Sequence, residues 1–238
     1  MYYFDDRVRY SECDENGDLS LVATMNYLQD CSTFQSESLD VGLDYLNAHH
    51  MGWVLTEWEI KIDRLPHFCD TIRTKTWSYG IHGFQALRCF AMDSEDGERL
   101  VTADSQWVLF DLQERRMMRI PESQMVYLSD EPRCDLPAMQ RRLAVEGPFE
   151  DASPVTVSEQ HLDTNRHVNN AQYVLMAMDA LSELGLVANP KTLTVQYRSM
   201  APRGDLVRPR VHPREYGSDI ELLSQDGSAY AVVRMENR

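Results

Sequence analysis

Three polar residues, Asp163, Asn165 and His167, occupy alternate positions in the stretch HLDTNRHVNNAQYV, residues 161–174. In an extended segment, residues two apart project to the same side of the backbone, so these side chains would line one side of the chain. An imidazole can act as a base near neutral pH, and an amide can orient a carbonyl group or a water molecule. The spacing is therefore typical of a site for chemistry at a carbonyl carbon.

The polar stretch ends where a helical pattern begins. Asn169 and Asn170 stand directly before apolar residues that recur at helical spacing. A helix N-terminus presents unpaired backbone N–H groups and the positive end of the helix dipole, which could stabilise a developing oxyanion. A simpler interpretation stays open at this point: Asp163 forms a turn, one asparagine caps the helix, and His167 is a packed core residue.

A weaker copy of the same stretch, CDENGDLSLVATM, lies at residues 13–25. Asp14 and Asn16 repeat the acid and the first amide 149 residues earlier, whereas Asp18 stands where the imidazole would be. Only the later copy therefore carries the residue that can act as a base.

Two further matches indicate that the whole chain is a repeat. Asp70 and Asp205 are 135 residues apart, and SEDG at 94–97 matches SQDG at 224–227 with an offset of 130. The offsets fall in chain order, as expected for two related domains of which the second has shorter loops. An Asp-Gly pair between two strand-like runs also predicts a hairpin with a type I′ turn in each half.

The elements predicted for the two halves follow the same order. We expect one long helix between Ser20, a good N-cap, and Gly42, and another between Asn170 and Leu184. Strand-like runs such as TEWEIKID and TLTVQYRSM follow each helix. The pattern predicts the α+β class, with two domains that each consist of a long helix wrapped by an antiparallel sheet.

The predicted domain boundaries follow from a stretch that lacks periodicity. Residues 129–154 contain four prolines and no clear helical or strand pattern. We predict a first domain at 1–128, a linker at 129–150 and a second domain at 151–238.

Composition excludes several classes of protein. The chain has 238 residues and a net charge of −15, which argues against nucleic-acid binding. The five cysteines form no closely spaced pair, so we expect reduced thiols and no metal site. No apolar run is long enough to span a membrane, and the charged first residues lack the apolar region of a secretory signal. These features predict a cytoplasmic protein.

Positive charge is concentrated in one window of the acidic chain. Residues 191–214 contain six lysines and arginines and one acidic residue, Asp205. A local positive surface can receive an anionic partner. The alternative, that these residues are solvated faces of strands, also stays open.

The quoted motifs resemble a known family. LDTNRHVNNAQYV is similar to the signature of the acyl-ACP thioesterases, which release fatty acids from acyl carrier protein (ACP) in fatty acid biosynthesis. WEIKIDRLPHFCDTIRTKTW, ADSQWVLFDLQERRMMRIP and VQYRSM extend the resemblance over most of the chain. The resemblance implies two hotdog domains in tandem, thioester hydrolysis without a cofactor or a metal, and a substrate-binding first domain.

The resemblance also implies roles for individual residues. Asp163, Asn165 and His167 would be catalytic: Asn165 and His167 would handle the thioester carbonyl and a water molecule, and Asp163 would orient or tune them. The residues expected to bind the substrate, including the phosphopantetheine of the carrier, are Asn169, Asn170, Arg198, Arg203, Arg208 and Arg210.

One departure from the family pattern keeps alternatives open. The plant enzymes carry a Glu-Cys pair where this chain has Met200 and Ala201. The departure leaves His167 as the obvious base and water as the attacking group. An acyl-CoA thioesterase and a non-catalytic acyl-binding module remain alternatives, and the chain is expected to be a monomer or a homodimer.

Overall fold

The computed structural model describes residues 1–163 and 166–237. The chain divides into two compact units, Met1–Thr56 with Ile60–Pro137 and Glu57–Glu59 with Ala138–Arg238. Its α-helices are α1 (Leu21–Ser38), α2 (Leu43–Ala48) and α3 (Asn170–Glu183). Its strands are β1 (Tyr2–Arg7), β2 (Met51–Ile62), β3 (Thr71–His82), β4 (Gln85–Ser94), β5 (Arg99–Asp111), β6 (Arg116–Met118), β7 (Glu150–Asp151), β8 (Val155–Thr156), β9 (Pro190–Tyr197), β10 (Leu206–Arg214), β11 (Gly217–Leu223) and β12 (Ala229–Asn237). Within the described part of the chain, no helix is both long and apolar enough to cross a lipid bilayer.

The first unit packs α1 against an antiparallel sheet. The sheet has the strand order β1-β3-β4-β5-β2, and β6 pairs with β5. Ser20 begins the helix by accepting a hydrogen bond from the backbone N–H of Ala23 at 3.2 Å, as its N-cap position predicts. Leu28 and Cys31 on the helix are fully buried, and the Cys31 Sγ lies 3.4 Å from the carbonyl oxygen of Thr74 on β3. These contacts put the core of the unit between helix and sheet.

The second unit repeats this arrangement with fewer residues. Its strand order is β9-β12-β11-β10-β7, with β8 paired to β10. The helix α3 contacts β10, β11 and β12 and buries Val174, Ala177 and Leu181. It ends one residue before the predicted limit, and Gly185 follows it in the left-handed region at φ 70°.

Backbone hydrogen bonds confirm the predicted repeat. The N–H of Val8 donates to the carbonyl of Asp70 at 3.0 Å, and the N–H of Val157 donates to the carbonyl of Asp205 at 2.8 Å. The two aspartates therefore occupy equivalent positions. The distance in sequence between equivalent residues falls from 149 at the starts of the long helices to 135 at these aspartates. It falls because α1 and β2 are longer than α3 and β9, and because the described chain has α2 only in the first unit.

The two Asp-Gly hairpins exist, but the predicted turn type is wrong. The N–H of Gly97 donates to the carbonyl of Ser94 at 3.0 Å, and the N–H of Gly227 donates to Ser224 at 3.1 Å. Both glycines are left-handed, with φ of 85° and 86°, whereas the aspartate before each of them is not. A type I′ turn needs positive φ at both central residues, so each loop is instead a type I turn followed by a left-handed glycine.

Two side chains lie on faces other than those that periodicity predicts. Phe34 stands three residues after the buried Cys31 and continues the apolar spacing of α1, but it is 45% exposed and packs edge-on against Phe4 with ring centroids 5.3 Å apart. Glu57 alternates with the buried Trp58 along β2, so the two side chains face opposite sides, yet Glu57 is also buried and accepts a hydrogen bond from Gln196 Nε2 at 3.1 Å. A partner from another element can thus override the alternation along one strand.

Candidate active site

The loop before α3 is held by the side chain of one acid. Asp163 Oδ1 accepts a hydrogen bond from the backbone N–H of His167 at 3.1 Å, and the N–H of Asp163 donates to the carbonyl of His167 at 2.8 Å. Arg166 closes the turn by donating its N–H to the carbonyl of Asp163 at 3.0 Å, with φ of 63°. Asp163 therefore holds the backbone of His167 in place, and the side chain of His167 is half-buried. Asn165, the third residue of the predicted catalytic set, lies outside the described residues.

The asparagines at the start of α3 have different surroundings. Asn169 is the N-cap: its Oδ1 accepts from the N–H of Ala171 at 2.9 Å, and its carbonyl accepts from the N–H of Gln172 at 2.9 Å. The N–H of Asn169 itself donates to the carbonyl of His161 at 2.9 Å. Three N–H groups expected to be available at this helix start thus have partners already, and an oxyanion would need other donors. Asn170 is the first helical residue.

Two tyrosines that the sequence analysis did not select brace the start of α3. The hydroxyl of Tyr197, on β9, donates to the carbonyl of Asn170 at 3.0 Å. The hydroxyl of Tyr173, on α3, accepts from the N–H of Ala201 at 2.9 Å. Burial raises the pKa of Tyr173 to about 12 and that of Tyr197 well above its usual range, so both stay protonated at neutral pH. An aromatic residue inside an apolar helical stripe carries no sign of such a role in the sequence.

The strand end after β9 carries the two residues that depart from the family pattern. Ala201 is fully buried, and Met200 is 43% exposed. The hydrogen bond from Ala201 to Tyr173 links this strand end to α3. Because methionine and alanine offer no carboxylate or thiol, these two positions supply neither a base nor a nucleophile.

The predicted arginines have unequal electrostatic surroundings. Arg203 forms an ion pair with Glu159 at 2.5 Å, and Arg210 forms one with Asp151 at 2.9 Å. Arg208 is exposed, and the described part of the chain places no acidic group within ion-pair distance of it. Of the cations expected to bind an anionic partner, Arg208 thus keeps its charge uncompensated.

Arg198 differs from the other three arginines. Its guanidinium donates to the side-chain oxygen of Gln196. Partial burial, together with the positive charge of Arg142, lowers the pKa of Arg198. The four predicted arginines, two of which follow β9 and two of which lie on β10, therefore have different electrostatic environments.

The matching loop of the first unit has equivalent hydrogen bonds at its two ends and a different functional group. Asp14 Oδ1 accepts from the N–H of Asp18 at 3.0 Å, as Asp163 does from the equivalent residue of the second unit. Asp18 then pairs with the imidazole of His67 at 3.0 Å, and both side chains are about half exposed. The first copy keeps the scaffold of the loop without an imidazole at its tip.

A group with metal-ligand chemistry lies elsewhere in the first unit. The side chains of Cys89, Asp104 and Cys134 come within 4.8 Å of one another, although no close cysteine spacing in the sequence predicts such a group.

Two units in which an antiparallel sheet packs against one long helix define a tandem hotdog protein, as predicted. The acyl-ACP thioesterase N-terminal domain matches residues 2–127, and the C-terminal domain of the same family matches residues 150–237. The chain belongs to the acyl-ACP thioesterase family.

Known proteins of this family share modest identity with the chain. It is 24% identical over 218 residues to the chloroplastic oleoyl-acyl carrier protein thioesterase 1 of Arabidopsis thaliana, covering 84% of this chain and 60% of that protein. It is 26% identical to a chloroplastic acyl-[acyl-carrier-protein] hydrolase of Cuphea viscosissima, covering 97% of this chain and 60% of the relative. The chain thus spans about 60% of the length of these plant relatives.

Solved structures confirm the fold over the full chain. An acyl-ACP thioesterase from Bacteroides thetaiotaomicron superposes with a TM-score of 0.87 at 22% identity, covering 98% of this chain and 96% of that one. The 12:0-ACP thioesterase from Umbellularia californica gives a TM-score of 0.82 at 21% identity, covering 99% and 97%.

Proposed function

We propose that this chain hydrolyses fatty acyl-ACP to a free fatty acid and ACP, with His167 as the base that activates water. Family membership supports the reaction class. The observation that carries the assignment to His167 is the hydrogen bond from its N–H to Asp163 Oδ1, which holds a half-buried imidazole at the start of α3. A cytoplasmic location, a role in fatty acid biosynthesis and a monomeric or dimeric state remain predictions from the sequence.

The proposed reaction needs only protein groups and water. His167 takes a proton from a water molecule as its oxygen attacks the thioester carbonyl carbon, and the resulting tetrahedral intermediate carries a negative oxygen. Collapse of the intermediate breaks the carbon–sulfur bond, and the imidazolium returns the proton to the leaving phosphopantetheine sulfur. Asn165 is proposed to orient the water or the carbonyl, and Asp163 to fix the loop.

The test is hydrolysis of purified acyl-ACP by the wild type and by His167→Ala. Because loss of a general base typically costs 10²–10⁴-fold, we expect kcat to fall by roughly that factor while the variant remains folded. Circular dichroism and thermal unfolding check the fold, and a bell-shaped or single-sided pH profile of the wild type reports the pKa of the base.

The repeat supplies a matched control. Asp18→Ala changes the equivalent position of the first unit, where the side chain is half exposed and contacts His67. We expect this variant to keep wild-type kcat within about threefold, since an exposed pair of this kind contributes little. Equal rates for the wild type and His167→Ala would remove the imidazole from the mechanism.

A second pair of assays separates the alternatives. ACP and coenzyme A esters of the same fatty acid are compared by kcat/KM, and a higher value for the ACP ester supports the proposal. A higher value for the coenzyme A ester would assign the chain to acyl-CoA hydrolysis. Tight binding of either ester without turnover would leave an acyl-binding module.

A further inference from the structure

Cys89 and Cys134 form a close pair of thiols in the first unit. Their sulfur atoms lie 2.9 Å apart, and the backbone N–H of Cys134 donates to the Cys89 sulfur at 3.1 Å. Cys89 is fully buried on β4, and Cys134 is half-buried on the segment that follows a short 3-10 helix, Glu122–Tyr127. One thiol of the pair is therefore reachable from solvent, and the other is reachable only through it.

The pair lies on the face of the sheet opposite α1. Arg88 bonds to Gln35 of α1, and because side chains alternate along a strand, the adjacent Cys89 points to the other face. Trp77 and Ala91 pack beside it there.

A short segment, residues 128–137, covers this face, and we call it the strap. The N–H of Ser129 donates to the carbonyl of Ser78 at 2.9 Å, and Trp77 Nε1 donates to the carbonyl of Pro132 at 2.8 Å. Arg133 Nε donates to Asp104 Oδ2 at 2.7 Å. These contacts to β3 and β5 hold Cys134 over Cys89.

The contacts favour covalent sulfur chemistry over a metal ion. Two thiolates on tetrahedral zinc, with bonds of about 2.3 Å, stand roughly 3.7 Å apart, farther than these sulfurs. The third candidate metal ligand, the Asp104 carboxylate, already has hydrogen-bond partners. It accepts from Arg133, from the hydroxyl of Tyr79 at 3.1 Å and from the N–H of Ser105 at 2.9 Å. A metal would have to displace several of these bonds.

We propose that Cys89 and Cys134 form a site of reversible oxidation that takes a small-molecule disulfide as its co-substrate. The inference does not rest on hydrolytic activity, because the pair belongs to the first unit and the predicted catalytic residues belong to the second. The oxidised site ties the strap to β4 three residues before the first unit ends at Pro137.

The chemistry is a pair of thiol–disulfide exchanges. The Cys134 thiolate attacks one sulfur of the co-substrate and releases its other half as a thiolate. Cys89 then attacks the Cys134 sulfur and displaces the second half, so that two protein thiols are oxidised and one disulfide is reduced to two thiols. The hydrogen bond with Cys134 and burial raise the pKa of the Cys89 thiol, which is consistent with its acting second. The Cys89 thiol donates a hydrogen bond to Asp104 Oδ1 at 3.9 Å, and its proton passes to the second thiolate that leaves.

The test uses the full chain carrying Cys13→Ser and Cys69→Ser, which removes two cysteines outside the pair and leaves three. The protein is treated with oxidised glutathione in the presence of a metal chelator, denatured and alkylated. We expect a loss of two mass units, a fall in alkylated thiols from three to one, and a peptide that joins residues 89 and 134. A cross-link that closes a loop of this length should also raise Tm by roughly 5–10 °C, reversed by dithiothreitol.

Matched variants keep the result decisive. Cys31→Ser, which removes the unpaired buried thiol, should leave the cross-link intact, whereas Cys89→Ser and Cys134→Ser should each abolish it. A stable glutathione adduct on Cys134 of the parent, with no cross-link, would overturn the proposal. So would binding of one equivalent of Zn²⁺ that needs both thiols and prevents their oxidation, because the site would then be a metal centre.

Discussion

Asp163 combines two possible roles, fixing a loop and tuning a base, and a near-isosteric change separates them. Its Oδ1 accepts the N–H of His167, a contact that an asparagine oxygen can replace. If the side chain only fixes the loop, Asp163→Asn should keep kcat within about tenfold, whereas Asp163→Ala should lose roughly 10²-fold or more because the imidazole is misplaced. Steady-state hydrolysis of acyl-ACP measures both values.

The first unit provides the control for that prediction. Asp14→Ala removes the equivalent bond from a loop that carries no imidazole, so it should lower Tm in the manner of Asp163→Ala without lowering kcat to the same extent. A drop in kcat for Asp163→Asn as large as that for Asp163→Ala would instead show that the negative charge acts on the reaction.

The hairpin between β11 and β12 is stabilised by the side chain of Asp226. Asp226 accepts hydrogen bonds from the hydroxyl of Ser224 and from the N–H and hydroxyl of Ser228, the latter two at 3.0 and 2.7 Å. These bonds to the ionised carboxylate lower its pKa to about 2. A carboxyl whose folded pKa is depressed stabilises the fold fully above its unfolded pKa near 4, and the contribution is lost as the pH falls toward 2.

Asp226→Asn should therefore lower Tm at pH 7 by about 1–3 °C, with a smaller difference from the wild type at pH 3. Calorimetry at both pH values gives the two differences. A deficit that is as large at pH 3 as at pH 7 would mean that the turn depends on the shape of the side chain and not on its charge.

The sequence predicted the helix starts, which local chemistry determines. The start of α1 at Ser20 and the start of α3 at Asn170 were predictable because caps act within a few residues. The type of the Asp-Gly turns was not, because the same dipeptide suits two turn geometries and the length of the loop between the paired strands selects between them.

The sequence did not predict contacts between segments that are far apart in the chain. The thiol pair joins residues 45 positions apart and depends on how the strap crosses β4. The bracing of α3 by Tyr197 depends likewise on which residue of β9 lies beside the start of that helix. Resemblance to a family led to the loop before α3, but it gave no information on these contacts because a motif identifies residues and not the contacts between distant segments.

The charge of the whole molecule makes the environment of one arginine important. A chain of net charge −15 repels an acidic carrier protein, so productive association needs a local positive region. In the described structure, Arg208 and Arg198 are the arginines of the predicted set with no acid within ion-pair distance, and Arg198 bonds to Gln196 whereas Arg208 is exposed on β10. Arg208→Glu should therefore raise KM for acyl-ACP roughly three- to tenfold, with kcat nearly unchanged.

Two comparisons show whether the effect of Arg208→Glu is specific to recognition of the carrier protein. The coenzyme A ester of the same fatty acid should show a change of less than about twofold, since a small substrate does not cover the same surface. Arg115→Glu reverses an exposed charge of the first unit and should leave both KM values near those of the wild type. Equal effects of Arg208→Glu on both substrates would place the arginine outside carrier recognition.

The two loops of the repeat differ in conformational cost. Gly17 in the first loop and Arg166 in the second occupy equivalent positions, and both have a left-handed backbone, with φ of 82° and 63°. Gly17 has no Cβ, whereas Arg166 carries a side chain. A side chain in that region costs about 1–2 kcal/mol, so the second loop is strained directly beside His167 and the first is not. Strain of this kind persists only where the surrounding structure opposes its release, and in this protein it coincides with the copy that kept the imidazole.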